Sequence, residues 1–276
     1  MTKPDDLFLL GQTLKEADGL IVTAGAGMGV DSGLPDFRGP EGFWNSYPAL
    51  GRAGIRFEEI ANPRSFDRDP VLAWGFYGHR LALYRHTRPH EGFGLLYGLS
   101  GRYPRGAFVF TSNVDGQFEL AGFPADRIVE CHGSIHVLQC LENCRNALWN
   151  ASDIEPAVEA GSGRLLSPLP RCPHCGGLAR PNILMFGDFG WNDSRTRDQE
   201  HRFRAWRRTV SRPVVIEIGA GTAIPTVRLF GEAQQAPLVR INPRDWRTIR
   251  PGDFSLPLGA LDGIRLLLRA VGEASS

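Results

Sequence analysis

No apolar run in this chain approaches the roughly 18 residues that a membrane-spanning helix requires, so a helical span is not expected. Residues 1–19 lack the apolar stretch of a secretory signal, because Asp5, Asp6, Lys15 and Glu16 interrupt them. An excess of one charge is missing too. The 31 basic and 30 acidic residues leave a formal net charge of +1, which indicates neither nucleic acid nor an anionic membrane as the main partner. Internal repeats and low-complexity tracts are also lacking. Cysteine is sparse, at five in 276 residues, as suits a chain kept in a reducing compartment. These absences lead to the expectation of a cytoplasmic protein. What is present is ordinary for a globular chain, with 42% hydrophobic and 22% charged residues. The length allows one large domain, or one domain carrying a smaller insert.

Residues 25–39 carry the densest signal, reading Gly-Ala-Gly-Met-Gly-Val-Asp-Ser-Gly-Leu-Pro-Asp-Phe-Arg-Gly. They follow Leu20–Thr23, an apolar run that reads as a buried strand bounded by Gly19 and Gly25. Glycines just past such a strand let the backbone approach a ligand closely, and successive N–H groups can cradle a phosphate. Gly25, Gly27 and Gly29 come near the dinucleotide fingerprint G-x-G-x-x-G, but Val30 stands where its last glycine belongs. Glycine-rich turns of this kind also occur without a ligand. Pro35, Asp36, Phe37 and Arg38 then add a rigid turn, a carboxylate, a ring and a guanidinium, as a loop that holds and covers an anion would need.

Five more apolar runs end in glycine or polar groups. They are Ala107–Phe110 before Thr111–Gly116, Ile128–Val129 before Cys131–Ser134, Ile183–Phe186 before Gly187, Val214–Ile218 before Gly219–Thr222, and Leu238–Ile241 before Asn242. Apolar strands separated by helix-length segments predict an α/β fold, a parallel sheet with helices on both faces. Ligands bind outside the carboxyl ends of such strands, so the six runs point to one crevice. Residues 40–106 and 136–181 break the pattern and read as insertions forming a smaller module. Helices are expected over about Pro70–Arg85, near Asp153–Ala160 and over Leu258–Ala270.

Four cysteines form two close pairs, Cys140/Cys144 and Cys172/Cys175, separated by 27 residues. Pairs at such spacing bring four thiolates to one tetrahedral zinc ion, a structural site with no open position. Unpaired thiols are the plainer reading, and His174 is an alternative ligand. His132, between Cys131 and Gly133 at a strand end, has a side chain suited to general-base work at neutral pH. Tyr77 and Arg80 are three apart in a helical stretch and share a face.

Taken together, the loop at 25–39 and the stretches around 111–116, 130–134, 185–188 and 219–222 resemble, in order, the motifs of the sirtuins. That family comprises NAD-dependent protein-lysine deacylases. The loop resembles G-A-G-x-S…S-G-I-P-D-F-R, and Thr111–Gly116 resembles T-Q-N-V-D-G. The resemblance covers roughly residues 15–268. It implies a Rossmann-like sheet domain built from residues 1–39, 107–135 and 182–276. Residues 40–106 would be a helical insertion with cofactor loop, and 136–181 a zinc module.

The resemblance also implies site roles. His132 is the implied catalytic base and Asn113 its catalytic companion. NAD would be bound by Gly25, Ala26, Gly27, Met28, Asp36, Phe37, Arg38, Ser112, Asn113, Asp115, Gly219, Gly221, Thr222 and Asn242. Cys140, Cys144, Cys172 and Cys175 would hold one Zn2+. An acyl-lysine protein substrate would pair with the strand around Phe186 and Gly187. Among sirtuins a Tyr-x-x-Arg such as Tyr77–Arg80 marks members that accept succinyl- and malonyl-lysine. The implied products are nicotinamide, free lysine and O-acyl-ADP-ribose. Three departures thin the ribose and phosphate contacts: Gly29 replaces a serine, Ser112 a glutamine, and Ala220 and Gly221 a Thr-Ser pair. An NAD-consuming ADP-ribosyltransferase or hydrolase, and a non-catalytic NAD-sensing zinc module, are the alternative readings.

Overall fold

A computed structural model describes residues 4–36 and 39–274. Among the described residues the strands are, in chain order, β1 (Gly19–Ala24), β2 (Ala107–Thr111), β3 (Ile128–Glu130), β4 (Gly133–Cys140), β5 (Leu148–Asn150), β6 (Ala179–Ile183), β7 (Pro213–Ile218), β8 (Leu238–Ile241) and β9 (Phe254–Leu256). Six of them form a parallel sheet in the order β3-β2-β1-β7-β8-β9. The order turns back between β1 and β7, so their two following loops diverge there and leave a crevice.

Alternation along the strands divides two cores. Leu20 and Val22 face one side with Val109, Ile216 and Val239, under the helices Pro4–Glu16, Glu91–Ser100 and Ala260–Glu273. Ile21 faces the other with Phe108, Phe110, Val129 and Val215, covered by Phe203 and Trp206 of the helix Ser194–Arg207 and by Phe230. The expected α/β sheet covered on both faces is therefore present.

A second, antiparallel sheet has the order β5-β4-β6. Its core draws on both insertions: Phe43, Trp74 and Tyr77 meet Ile135, Leu138, Leu165 and Met185. The helix Pro70–His86 anchors this module. Asp69 starts it by accepting from Leu72 N–H at 3.1 Å, with Pro70 in the first turn, and Trp74 Nε1 donates to the Ala179 carbonyl at 2.8 Å.

Two expectations fail. The run Ile183–Phe186 is not a strand of the parallel sheet. Its first residue ends β6, which pairs antiparallel with β4, and β9 supplies the sixth parallel strand instead. The buried polar side chains of β6 explain this. Asn182 donates to the Gln139 side chain at 2.9 Å and Arg180 pairs with Asp188 at 2.6 Å, so its polar groups find partners within the small module. The expected helix near Asp153–Ala160 is also absent. Pro156 removes a donor there, and the chain turns back, with Val158 bridging Leu165 and the Ala157 carbonyl accepting from Leu166.

The helix at Ala260–Glu273, expected over Leu258–Ala270, is tied to the glycine loop, because Asp31 accepts from Leu261 N–H in its first turn at 2.8 Å. Among the described residues no helix is long and apolar enough to cross a membrane. Asp31→Ala is expected to lower the unfolding free energy by about 1 kcal/mol in chemical denaturation, the value of one lost helix cap. An unchanged midpoint would show that the tie contributes nothing.

Candidate active site

The loops after β1 and β7 pack backbone against backbone. Gly25 N–H donates to the Ile218 carbonyl at 3.0 Å, and Gly27 N–H to the Gly219 carbonyl at 3.1 Å. A Cβ on Gly27 would lie 2.6 Å from Gly219 Cα, and one on Gly219 (φ 62°) would lie 2.4 Å from the Gly27 carbonyl carbon. Only glycine fits at both positions. Behind the second loop, Asn242 is fully buried. Its Nδ2 donates to the Ala220 carbonyl at 2.9 Å, while its Oδ1 accepts from Arg244 and Asp245 N–H at 3.0 and 2.9 Å.

A cavity of about 890 Å³ opens between these loops and the small module. Gly25, Ala26, Gly27 and Asp36 line one wall, and Gly219, Gly221 and Thr222 the next. Ser112, Asn113 and Asp115 enter from the end of β2, His132 from the turn between β3 and β4, and Phe186 from beyond β6. Tyr77 and Arg80 reach it from the helix Pro70–His86. The remaining expected residues fall elsewhere. The Met28 side chain is buried in the sheet core, Asn242 stands behind the loop, and Gly187 (φ 64°) lies outside the lining. Phe37 and Arg38 lie outside the described residues.

Hydrogen bonds fasten the β2 end to the glycine loop. Thr111 Oγ1 donates to the Ala24 carbonyl at 3.0 Å and accepts from Asn113 N–H at 3.0 Å, and Asn113 Nδ2 donates to the Gly25 carbonyl at 3.0 Å. Asp115 accepts from Gln117 N–H at 3.0 Å, yet burial pushes its carboxyl up to about 6, helped by the nearby Glu130 and opposed by the Gln117 N–H and Arg80. Burial pushes His132 below its usual 6.5, so the imidazole is neutral at pH 7 and can accept a proton. Burial also pushes the Cys131 thiol up to about 12, which leaves it protonated and a poor nucleophile. The His132 carbonyl accepts from Leu184 N–H at 2.9 Å, placing the imidazole's own residue beside the extended segment that leads to Phe186.

At the inner wall, Arg80 is 8% exposed and its guanidinium lies 5.3 Å from the Phe76 ring centre and 5.4 Å from that of Tyr84. The buried Tyr77 hydroxyl has no hydrogen-bond partner among the described residues. Tyr84, which also lines the cavity, was missed in the sequence reading, although positions 77, 80 and 84 follow the spacing of one helix face.

The four cysteines meet in the small module, away from the cavity. Cys140 Sγ lies 3.7 Å from Cys175 Sγ and Cys144 Sγ 3.6 Å from Cys172 Sγ, with all four sulfurs within 4.8 Å of one another. Four sulfurs 2.3 Å from a tetrahedral zinc ion would stand about 3.8 Å apart, so the cluster fits one structural zinc. Cys140 comes from the end of β4, and a Cys172–Gly177 turn supplies the other pair through Cys172 N–H to the Gly177 carbonyl at 2.8 Å.

Residues 25–224 match the model of the Sir2 family. The chain is 30% identical over 271 residues to NAD-dependent protein deacylase 1 of Archaeoglobus fulgidus, which covers 96% of this chain and 98% of that protein. It is 31% identical over 263 residues to NAD-dependent protein deacylase 1 of Pseudomonas aeruginosa, covering 94% and 96%. Among solved structures, a crystal structure of a Sir2 homologue–NAD complex superposes with a TM-score of 0.72 at 28% identity, covering 97% of this chain and 94% of that one.

The folded Asp115 carboxyl holds its proton to about pH 6, against 3.8 for an ordinary aspartate. The group therefore costs stability above about pH 6, and the cost fades as pH falls toward 3.8. Asp115→Asn keeps the oxygen that accepts from Gln117, and is expected to raise stability at pH 7.5 by about 1–3 kcal/mol. A gain that does not shrink on acidification contradicts this cause. Cys172→Ser is expected to lose bound zinc by atomic absorption and to lower the melting temperature together with it. Full zinc content in that variant would refute the four-thiolate site.

Proposed function

The chain belongs to the Sir2 family, and from that premise we propose that it is an NAD-dependent protein deacylase, releasing free lysine, nicotinamide and O-acyl-ADP-ribose. One observation carries the reading: a neutral imidazole, an amide and a carboxyl from His132, Asn113 and Asp115 face the same cavity as two glycine loops at the sheet's switch point. The activity named for both curated relatives supports it.

When bound, NAD supplies a departing nicotinamide and a ribose carbon open to attack by the acyl oxygen. The chain's own groups would divide the remaining work. Gly25, Ala26, Gly27, Gly219, Gly221 and Thr222 hold the dinucleotide by close backbone approach, with Asn242 fixing the second loop from behind. Asn113 and Asp115 line the nicotinamide end, with Ser112 beside them. His132 Nδ1 or Nε2 takes the proton of a ribose hydroxyl. Met28, Asp36, Phe37 and Arg38 complete the cofactor loop in this proposal. The segment ending at Phe186 and Gly187 takes the protein substrate as an added strand, where main-chain hydrogen bonds give affinity. Tyr77 and Arg80 face the acyl chain, and a guanidinium there suits the terminal carboxylate of succinyl- or malonyl-lysine. The three-segment sheet domain with its insertions at 40–106 and 136–181, and a cytoplasmic location, belong to the same proposal.

Incubation with NAD and acetyl-lysine peptide, succinyl-lysine peptide or no peptide, followed by mass spectrometry, tests the reading. The expected outcome is peptide-dependent nicotinamide release with O-acyl-ADP-ribose, reduced at least about 100-fold by His132→Ala. The acid limb of kcat/KM should lie below pH 6.5, since burial lowers the His132 pKa. Nicotinamide release without peptide would identify a hydrolase, and mass added to protein a transferase.

A further inference from the structure

Tyr84 lies one turn beyond Arg80 on the helix Pro70–His86, and both are buried in the wall of the cavity. Its hydroxyl accepts from Arg80 Nε at 3.0 Å and from Nη2 at 2.8 Å. This two-point contact fixes the guanidinium plane as well as its position. Both groups are shielded from water, so the bonds are stronger than at a surface. A guanidinium can grip a carboxylate in two ways, along the Nε–Nη2 edge or at the Nη1–Nη2 end. The Tyr84 hydroxyl occupies the first, which directs an incoming carboxylate to the second. The Phe76 and Tyr84 rings, 5.3 and 5.4 Å from the guanidinium carbon, restrict its tilt.

We propose that Tyr84 is a positioning residue for acyl selection: by accepting from Nε and Nη2 it turns the Nη1–Nη2 end of Arg80 to the acyl chain, favouring groups that end in a carboxylate. The proposal rests on the deacylase reading and on Arg80 facing the acyl group. Tyr84→Phe keeps the ring and its packing but removes the oxygen that orients the guanidinium. The carboxylate must then order Arg80 itself on binding, which weakens association.

Steady-state kinetics at saturating NAD, on matched succinyl- and acetyl-lysine peptides, test this with wild type, Tyr84→Phe, Arg80→Met and the double variant. Tyr84→Phe is expected to lower the succinyl-to-acetyl ratio of kcat/KM about tenfold, the scale of one hydrogen bond to a charged group. The loss should appear mainly in the succinyl KM, and should vanish in the Arg80→Met background, because both changes remove the same interaction. A melting curve separates this from loss of fold, which would depress both peptides. Two outcomes overturn the proposal while the acyl reading stands: an unchanged ratio in Tyr84→Phe, or a Tyr84 effect that persists without Arg80. If Arg80→Met itself leaves the ratio unchanged, the acyl reading fails and the role of Tyr84 fails with it.

Discussion

The close approach of two backbone loops, Gly25–Gly27 against Gly219–Ala220, is the constraint on which the site depends. It follows from the register of β1 with β7, which brings Ala24 opposite Ile218 and sends both chains out of the sheet at the same level. With a Cβ at Gly27 or Gly219 lying within 2.6 Å of the other loop's backbone, any side chain there would push the walls of the crevice apart. Other parts take their positions from this contact. Asn113 reaches the Gly25 carbonyl, Asn242 and Arg228 reach the Ala220 carbonyl, and Asp31 carries the far end of the first loop to the closing helix.

Buried charge organises the opposite wall. Arg180 and Asp188 have side chains 1% and 0% exposed and meet through two hydrogen bonds of 2.6 and 3.0 Å. Asp188 also accepts from Met185 and Gly190 N–H, so the pair pins the turn that carries Phe186 into the cavity. Such a pair contributes little net stability, since desolvation offsets attraction, and its value here is geometric. Under the β7 and β8 ends, Arg240 grips Glu217 and Glu232 in the same way, at 2.6 and 2.7 Å. Between these two fixed walls the protonation states follow from burial: His132 neutral, Cys131 protonated, Asp115 titrating near 6.

The features legible in the sequence were those encoded locally. The glycine loop, the cysteine spacing, the strand-end polar groups and the helix from Pro70 depend on neighbours a few positions away, and each appears where expected. What escaped depended on partners distant in the chain. Alternating polar residues in β6 become a buried strand only because Gln139 and Asp188 satisfy Asn182 and Arg180. Met28 belongs to a glycine-rich loop, yet its side chain completes the sheet core. Tyr84 looked like one more core aromatic, and its hydroxyl gains meaning only from the Arg80 contact. The departures at Gly29 and Ser112 leave the backbone path intact: Gly29 N–H donates to the Ala26 carbonyl and Ser112 N–H to the Ala24 carbonyl.

Calorimetric titration of NAD into the wild-type protein and into Gly27→Ala tests the central claim most directly, with zinc content and melting temperature confirming that the variant is folded. The account predicts binding to the wild type and at least a tenfold weaker association in Gly27→Ala, because a single methyl group forces the two loops apart. Equal affinity in both proteins, or no binding to the wild type, would contradict the assignment of this backbone cradle to the dinucleotide.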